Sequence, residues 1–233
     1  MKCLLLAAGF GTRLRPITDH VPKCLVELHG VPLLDYWLKN LHEAGASEFL
    51  INTHYLPEQV EGFVAAHPLS SLISLTHEST LLGTAGTVFA NRAFLASGTT
   101  LLAHADNLCL CPWQDFFKAH ATRPPHTLMT MMTFQTGNPH ECGIVELDAQ
   151  GVVVDFHEKV VSPPGNLANA AVYLIEPEVL REMDRINPSM TDLSTQLLPM
   201  LKGRIFTWEN RDILIDIGSP ERLAMAREIL AAR

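Results

Sequence analysis

The chain has 233 residues, 47% of them hydrophobic and 18% charged, and a chain of this length hides roughly 70–75% of its unfolded surface. Its formal net charge of −8 argues against nonspecific nucleic-acid binding, which needs a basic footprint, but leaves room for a local basic pocket. No stretch approaches the ~18–20 apolar residues of a membrane span, and the run Cys3–Ala8, followed by "GFGTRLRP", is too short and too poor in cleavage features for a signal peptide.

The patterning then alternates between strand and helix. "KCLLLAA" reads as a buried strand, "PLLDYWLKNLHEAG" as a helix with Pro32 at its start and Gly45 at its end, and "EFLIN" as a second strand. A helix over "PEQVEGFVAAH", a strand over "LISLTHE", a helix over "TAGTVFANRAFLA" and a strand over "TTLLAHA" follow. Next come a helix near "PWQDFFKAHA" and a strand at "HTLMTMMTF". This repetition predicts a mainly parallel sheet covered by helices. After about residue 140 the order changes. "CGIVELDAQGVVVDFHEK" reads as two strands joined at 148–151 and "NLANAAVYLI" as another, which predicts an antiparallel insertion. Helices close the chain at "DLSTQLLPMLKG", capped by Thr191 or Asp192, and at "SPERLAMAREILAA", capped by Ser219. The expectation is one α/β domain over 1–233, with neither repeat nor flexible linker.

The most informative stretch is "LLLAAGFGTRLRP", residues 4–16. A strand running into Gly9 and Gly11 lets a ligand approach the backbone, because glycine has no Cβ, and successive turn amides form an anion-binding concavity. Arg13 adds a permanently charged, forked donor suited to phosphate oxygens. The pattern is neither G-x-x-x-x-G-K-[ST] nor the three-glycine dinucleotide fingerprint. A G-x-G alone fits a plain tight turn equally well.

The longer string "LAAGFGTRLRPITDHVPKCLVELHGVPLLDY" resembles the signature of the sugar-1-phosphate nucleotidyltransferases, the nucleotide-sugar pyrophosphorylases. The match includes Leu6, Gly9, Gly11, Thr12, Arg13, Leu14, Pro16, Thr18, Pro22, Lys23, Gly30 and Pro32, with Ala8 where many members have glycine. "HESTLLGTAGTV" resembles the family's E-x-x-x-L-G-T-A-G block, although by itself it reads as a helix start. "LLAHADN" is similar to the strand that ends in a metal-binding aspartate, with His104 and Ala105 in place of Asn-Gly. Without that context Asp106 is a loop aspartate at a strand's carboxyl end. "ECGIVELDAQGVVVDFHEKV" resembles the block ending in E-K-P, with Cys142 and Val160 as departures, and its Glu158–Lys159 otherwise reads as a strand-end ion pair. "NLANAAVYLI" is similar to N-A-G-I-Y, and "ILIDIGSPERL" to W-x-D-I-G-T-P-E-x-Y, which alone reads as a helix cap.

The resemblance implies a Rossmann-like three-layer fold with a mainly parallel mixed sheet and an inserted antiparallel sugar-binding portion. It places a nucleotide-binding part at about 1–140, and a sugar-binding part with closing helices at about 141–233. It implies nucleotide contacts from Leu6, Ala7, Ala8, Gly9, Gly11, Thr12, Arg13, Lys23, Glu78, Gly83, Thr84 and Ala85, and acceptor contacts from Asp106, Gly143, Glu158, Lys159 and Asn169. Arg13, Lys23, Asp106 and Asp216 would be catalytic, and Asp106 and Asp216 would hold Mg²⁺. The partners implied are a nucleoside triphosphate and a sugar 1-phosphate.

"HE…LGTAG" looks closest to mannose-1-phosphate guanylyltransferase-like members, which favours GTP and mannose or a related sugar. UTP-, CTP- or dTTP-dependent enzymes, including ones acting on another sugar 1-phosphate or on phosphocholine, share the pattern. So does a noncatalytic nucleotide-sugar sensor, against which the presence of Arg13, Lys23, Asp106 and Asp216 counts. A monomer or small homo-oligomer is expected, and, since the sequence stops just after the final helix, the regulatory C-terminal extension of longer relatives is not expected. Cys3, Cys24, Cys109, Cys111 and Cys142 form no C-x-x-C pair and read as reduced thiols of a cytoplasmic protein. The eleven histidines form no H-E-x-x-H or Cys/His framework, and His157, beside Glu158, is the one that stands out.

Overall fold

A computed structural model describes residues 1–232. The polypeptide forms two compact units: one gathers Met1–Leu81, Ala103–Cys111 and the chain from Asp212 onward, and the other gathers Leu82–Leu102 and Pro112–Arg211.

In the first unit β1 (Lys2–Leu6) is almost wholly buried. A two-residue hairpin follows, β2 (Glu27–Leu28) and β3 (Val31–Pro32). It turns at His29 and Gly30, both at positive φ, the geometry that two-residue hairpin loops require. Helix α1 (Leu33–Glu43) buries Leu33, Leu34, Trp37, Leu38 and Leu41 and ends before Gly45, whose φ of 101° suits a helix stop. Strand β4 (Glu48–Thr53), helix α2 (Pro57–Ala66) and strand β5 (Ile73–His77) follow as predicted. β1 pairs with β4 and β4 with β5, both in parallel.

Two helices, α3 (Gly83–Ala90) and α4 (Arg92–Leu95), stand where the spacing predicts one over 84–96. The break falls at Asn91, whose side chain donates to the Thr87 carbonyl (2.9 Å), a local bond that competes with helix continuation. Strand β6 (Thr100–His104) leads into the short β7 (Asn107–Cys109).

The second unit continues with α5 (Trp113–Ala121), β8 (Met129–Gln135), β9 (Gly143–Leu147), β10 (Val153–Glu158) and β11 (Leu167–Ile175). β9 and β10 form the expected antiparallel hairpin, and β11 runs antiparallel to β8 and β9. Helix α6 (Glu178–Ile186) buries Val179, Leu180 and Met183, and sequence patterning alone did not single it out. The helix predicted over 192–203 is instead a single π turn, Leu193–Leu197, followed by a 3-10 turn, Leu198–Leu201. Pro199 explains this, because it lacks an N–H and its ring obstructs the carbonyl four residues back. Asp192 is the cap and accepts from the Thr195 amide (2.7 Å). Strand β12 (Ile205–Glu209) pairs in parallel with β8, and its Trp208 stacks near Phe116 of α5, with ring centroids 5.4 Å apart.

Back in the first unit, β13 (Leu214–Asp216) pairs antiparallel with β7, and α7 (Pro220–Ala231) follows, its Ser219 cap accepting from the Arg222 amide (3.4 Å). Leu14, Leu28, Leu33, Leu108, Ile217 and Leu223 form one buried cluster. Residues from all three stretches of the unit therefore share one core. The fold is α/β with a mixed sheet, as the alternating pattern predicts.

Candidate active site

The first unit carries the glycine–arginine loop. β1 ends at Leu6, and the next amide, that of Ala7, donates to Asn52 Oδ1 (2.7 Å). Asn52 Nδ2 donates in turn to Glu78 Oε1 (2.8 Å). Both side chains are buried, so the two bonds together fix which way the Asn52 amide faces. Asn52 is absent from the motif blocks. Its only signal in the sequence is a carboxamide inside the apolar strand "EFLINT".

Gly11 sits at φ 63°, and a Cβ there would meet Thr18 Cγ2 at 2.9 Å and Lys23 Cβ at 3.1 Å. Its carbonyl accepts from the Thr18 hydroxyl (2.8 Å) and the Leu14 amide (2.9 Å). Glycine at this position is therefore demanded by the turn itself. At Gly9 a Cβ would touch nothing within 4 Å. The single 3-10 turn Thr12–Leu14 buries Leu14 and leaves the Arg13 side chain 76% exposed.

Lys23 behaves differently. Its side chain is only 7% exposed, and its ammonium donates to Asp106 Oδ2 (2.7 Å) and Asp216 Oδ1 (3.1 Å). The other oxygen of Asp216, Oδ2, lies 3.6 Å from Arg13 Nη2. Two cations and two carboxylates thus converge from positions distant in the sequence. The β7–β13 ribbon explains how: Asp216 stands opposite Asn107, the residue after Asp106, and the Asn107 carbonyl is held by Trp37 Nε1 (2.8 Å). Gly218 clears the space, since a Cβ there would meet Asp216 Oδ2 at 2.8 Å and Arg13 Nη2 at 3.0 Å. Gly11, Thr12, Arg13, Lys23, Asp106 and Gly218 line one cleft. Arg15 pairs with Asp19 (3.1 Å).

Burial works against ionisation of Asp106, but the Lys23 ammonium, then His104, and hydrogen bonds from Lys23 and the backbone outweigh it, holding the carboxyl below its ordinary value. Neighbouring Cys24 is buried, and burial first, then Asp106, push its thiol up to about 12. It remains a thiol rather than a nucleophilic thiolate. The donors facing one another across Lys23 are carboxylate oxygens, a set suited to a hard divalent cation that takes its remaining ligands from phosphates and water.

The second unit carries the other predicted contacts. Gly83, at φ 75°, opens α3 against Thr191: a Cβ would collide with the Thr191 carbonyl oxygen, which also accepts from the Ala85 amide (3.0 Å). Thr84 Oγ1 accepts from the Leu193 amide (2.9 Å). This internal approach accounts for the first glycine of the Gly-Thr-Ala-Gly block and ties it to the 191–197 turn.

Gly143 and Glu158 are partners across β9 and β10, and a Cβ on Gly143 would meet Phe156 Cζ at 2.6 Å and Glu158 Oε2 at 2.7 Å. Burial raises the Glu158 carboxyl above its ordinary value against the pull of Lys159, with Asp192 adding to the rise. Lys159 is at φ 50°, with its ammonium 3.6 Å from Glu158. On β11 the register with β8 slips between Asn169 and Tyr173. Asn169 Nδ2 donates to the buried Tyr173 hydroxyl (2.7 Å), Asn169 Oδ1 accepts from the Ala171 amide (3.0 Å), and Ala171 sits at φ 54°.

A family model described as "Nucleotidyl transferase" matches residues 2–232. The mannose-1-phosphate guanylyltransferase catalytic subunit beta of Danio rerio is 31% identical over 228 residues, covering 95% of this chain, and that of Dictyostelium discoideum is 29% identical over 227 residues, also covering 95%. The chain spans 62% of the length of each of these relatives. Among solved structures, apo UDP-glucose pyrophosphorylase superposes with a TM-score of 0.84 at 20% identity, covering 99% of this chain and 98% of that one. HddC from Yersinia pseudotuberculosis complexed with GMP-PN gives 0.81 at 19%, covering 98% and 99%. On the family match over nearly its whole length, the chain belongs to the nucleotidyl transferase family.

Proposed function

We propose that this protein is an Mg²⁺-dependent sugar-1-phosphate nucleotidyltransferase that joins GTP and mannose 1-phosphate, or a close relative of that sugar, into a nucleotide-diphosphate sugar and pyrophosphate. The observation that carries this reading is the convergence of Lys23, Asp106, Asp216 and Arg13 beside the glycine loop. The choice of GTP and mannose rests on the names of the relatives at about 30% identity.

An acceptor phosphate oxygen attacks the α-phosphorus, the bond to the bridging oxygen of the leaving pyrophosphate breaks, and that oxygen keeps the electron pair. The acceptor oxygen is already anionic, so neither a protein nucleophile nor a strong general base is needed. The obstacle is repulsion between two phosphorylated substrates and their in-line alignment. Asp106 and Asp216 would hold Mg²⁺, which when bound neutralises phosphate charge. Arg13 meets the leaving pyrophosphate with its forked donor. Lys23, held by both aspartates, presents fixed positive charge to the α-phosphate. The Ala7 amide is held back by Asn52, and the neighbouring loop amides cradle the nucleotide phosphates. Lys159 binds the acceptor phosphate, while Glu158, Asn169 and the Gly143 backbone orient the sugar.

The test is pyrophosphate release across four nucleoside triphosphates and several sugar 1-phosphates, with and without Mg²⁺. Release in the GTP–mannose 1-phosphate pair alone is the expected result. Release in another pair reassigns the substrates, and silence throughout, with tight nucleotide-sugar binding, makes the protein a sensor.

A further inference from the structure

The transfer chemistry leaves one cluster of ligating side chains unused. On the β9–β10 hairpin Asp155 stands opposite Glu146 and His157 opposite Ile144. Cross-strand partners share a face, and so do residues two apart on a strand, so Glu146, Asp155 and His157 project together from the side opposite buried Phe156. Two carboxylates facing each other across a ladder repel. Here an imidazole stands with them: His157 Nε2 is 2.7 Å from Glu146 Oε1 and 3.8 Å from Asp155 Oδ2. One potential ligand atom from each residue lies within 4.8 Å of the others.

The second oxygen of Asp155 is already engaged. Oδ1 accepts from the Phe156 amide (2.8 Å) and from Lys202 Nζ (3.0 Å). Those bonds orient the carboxylate so that Oδ2 is the oxygen presented to the histidine, the kind of outer support that metal-ligating carboxylates receive. One imidazole nitrogen and two carboxylate oxygens suit a first-row transition-metal dication, whereas Asp106 and Asp216 offer only hard oxygen donors. Lys202 places a positive charge nearby, and the three side chains are 26–49% exposed, which makes the site weaker than a buried one.

We propose that Glu146, Asp155 and His157 form a site for a first-row divalent metal ion, separate from the carboxylate pair in the other unit. Bound metal would tie β9 to β10, the strands that carry Gly143 and Glu158. This inference stands apart from the proposed transfer reaction and is tested without it.

The experiment is calorimetric titration of the full chain with Zn²⁺ alone, in wild type, His157→Gln, Glu146→Gln and Asp106→Asn, alongside histidine ring resonances of the wild type. The expected result is a wild-type site whose affinity falls about tenfold or more in His157→Gln and Glu146→Gln, persists in Asp106→Asn, and perturbs the His157 ring. Absence of Zn²⁺ binding in wild type, an isotherm unchanged in His157→Gln, or an unperturbed His157 ring would overturn it.

Discussion

The two units hold their predicted site residues by different means. In the first, charged side chains fix one another: Lys23 is clamped between Asp106 and Asp216, and Arg13 lies against the second oxygen of Asp216. In the second, the backbone does the positioning. Lys159 and Ala171 lie in the left-handed region, and β11 slips register around Asn169. Under the proposed function, the contrast matches what each unit would recognise. Phosphate charge is met by preset charge, which costs no reorganisation when the ligand arrives. In the second unit, sugar hydroxyls and the acceptor phosphate assigned to Lys159 would need groups aimed in set directions, and a distorted backbone can aim them.

Lys23 tests the charge clamp of the first unit most directly. Lys23→Ala is expected to lower turnover by roughly 3–4 kcal/mol in barrier, about 10²–10³-fold, with a smaller change in KM. Pyrophosphate release under saturating substrates measures it, and near-normal kcat would remove Lys23 from the chemistry. The next effect concerns how the loop is held. Asn52→Ala leaves the Ala7 amide and the Glu78 carboxylate without this partner and is expected to cost about 2 kcal/mol of stability, read from urea midpoints, together with a raised KM for the nucleotide. Glu78→Ala also removes the acceptor for Asn52 and is expected to cost about as much, whereas Glu78→Gln keeps an oxygen that can accept from Asn52 and should avoid most of that cost.

Acid sharpens the same contrast. The Asp106 carboxyl sits below its ordinary value, so its ionised form contributes stability that is fully present above the unfolded-state value. That contribution is lost as pH falls through the lower folded-state value. The stability gap between wild type and Asp106→Asn should therefore be widest near neutrality and close in acid, and a gap independent of pH would show that the pair is not the cause. The smallest effect belongs to the second unit. Ala171 is a non-glycine residue at φ 54°, and Ala171→Gly should raise stability by about 1 kcal/mol, the relief of the left-handed penalty less the entropy glycine loses on folding. A lower melting temperature in that variant would contradict backbone strain at this position.

Much of the fold was legible because long elements carry periodic burial: α1, β4, α2 and the β9–β10 hairpin lie close to where spacing places them. The charged members of the site were legible as motif residues, but the reason they meet was not. "NLC" and "LID" are three-residue strands, too short for alternation to register, yet they bring Asp216 beside Asp106. Asn52 was obscured because the strand around it is apolar and its polarity is spent inside the protein. The Gly-Thr-Ala-Gly block shows the opposite limit. Its first glycine invites a ligand-approach reading, while the structure supplies a close approach by the chain's own Thr191. Asn91 and Pro199 broke predicted helices through local chemistry that periodicity does not weigh.

The three-part makeup of the first unit has a consequence for the order in which the protein can be completed. Lys23 is separated by 83 residues from Asp106 and by 193 from Asp216. On the ribosome, the lysine is made early, meets its first counter-charge midway, and receives the second only when β13 emerges. Contacts of such sequence separation close slowly because loop entropy is lost before they form. The charge cluster therefore cannot be completed until the whole second unit has been made, and a product stopped before Asp212 would carry Lys23 with half of its clamp.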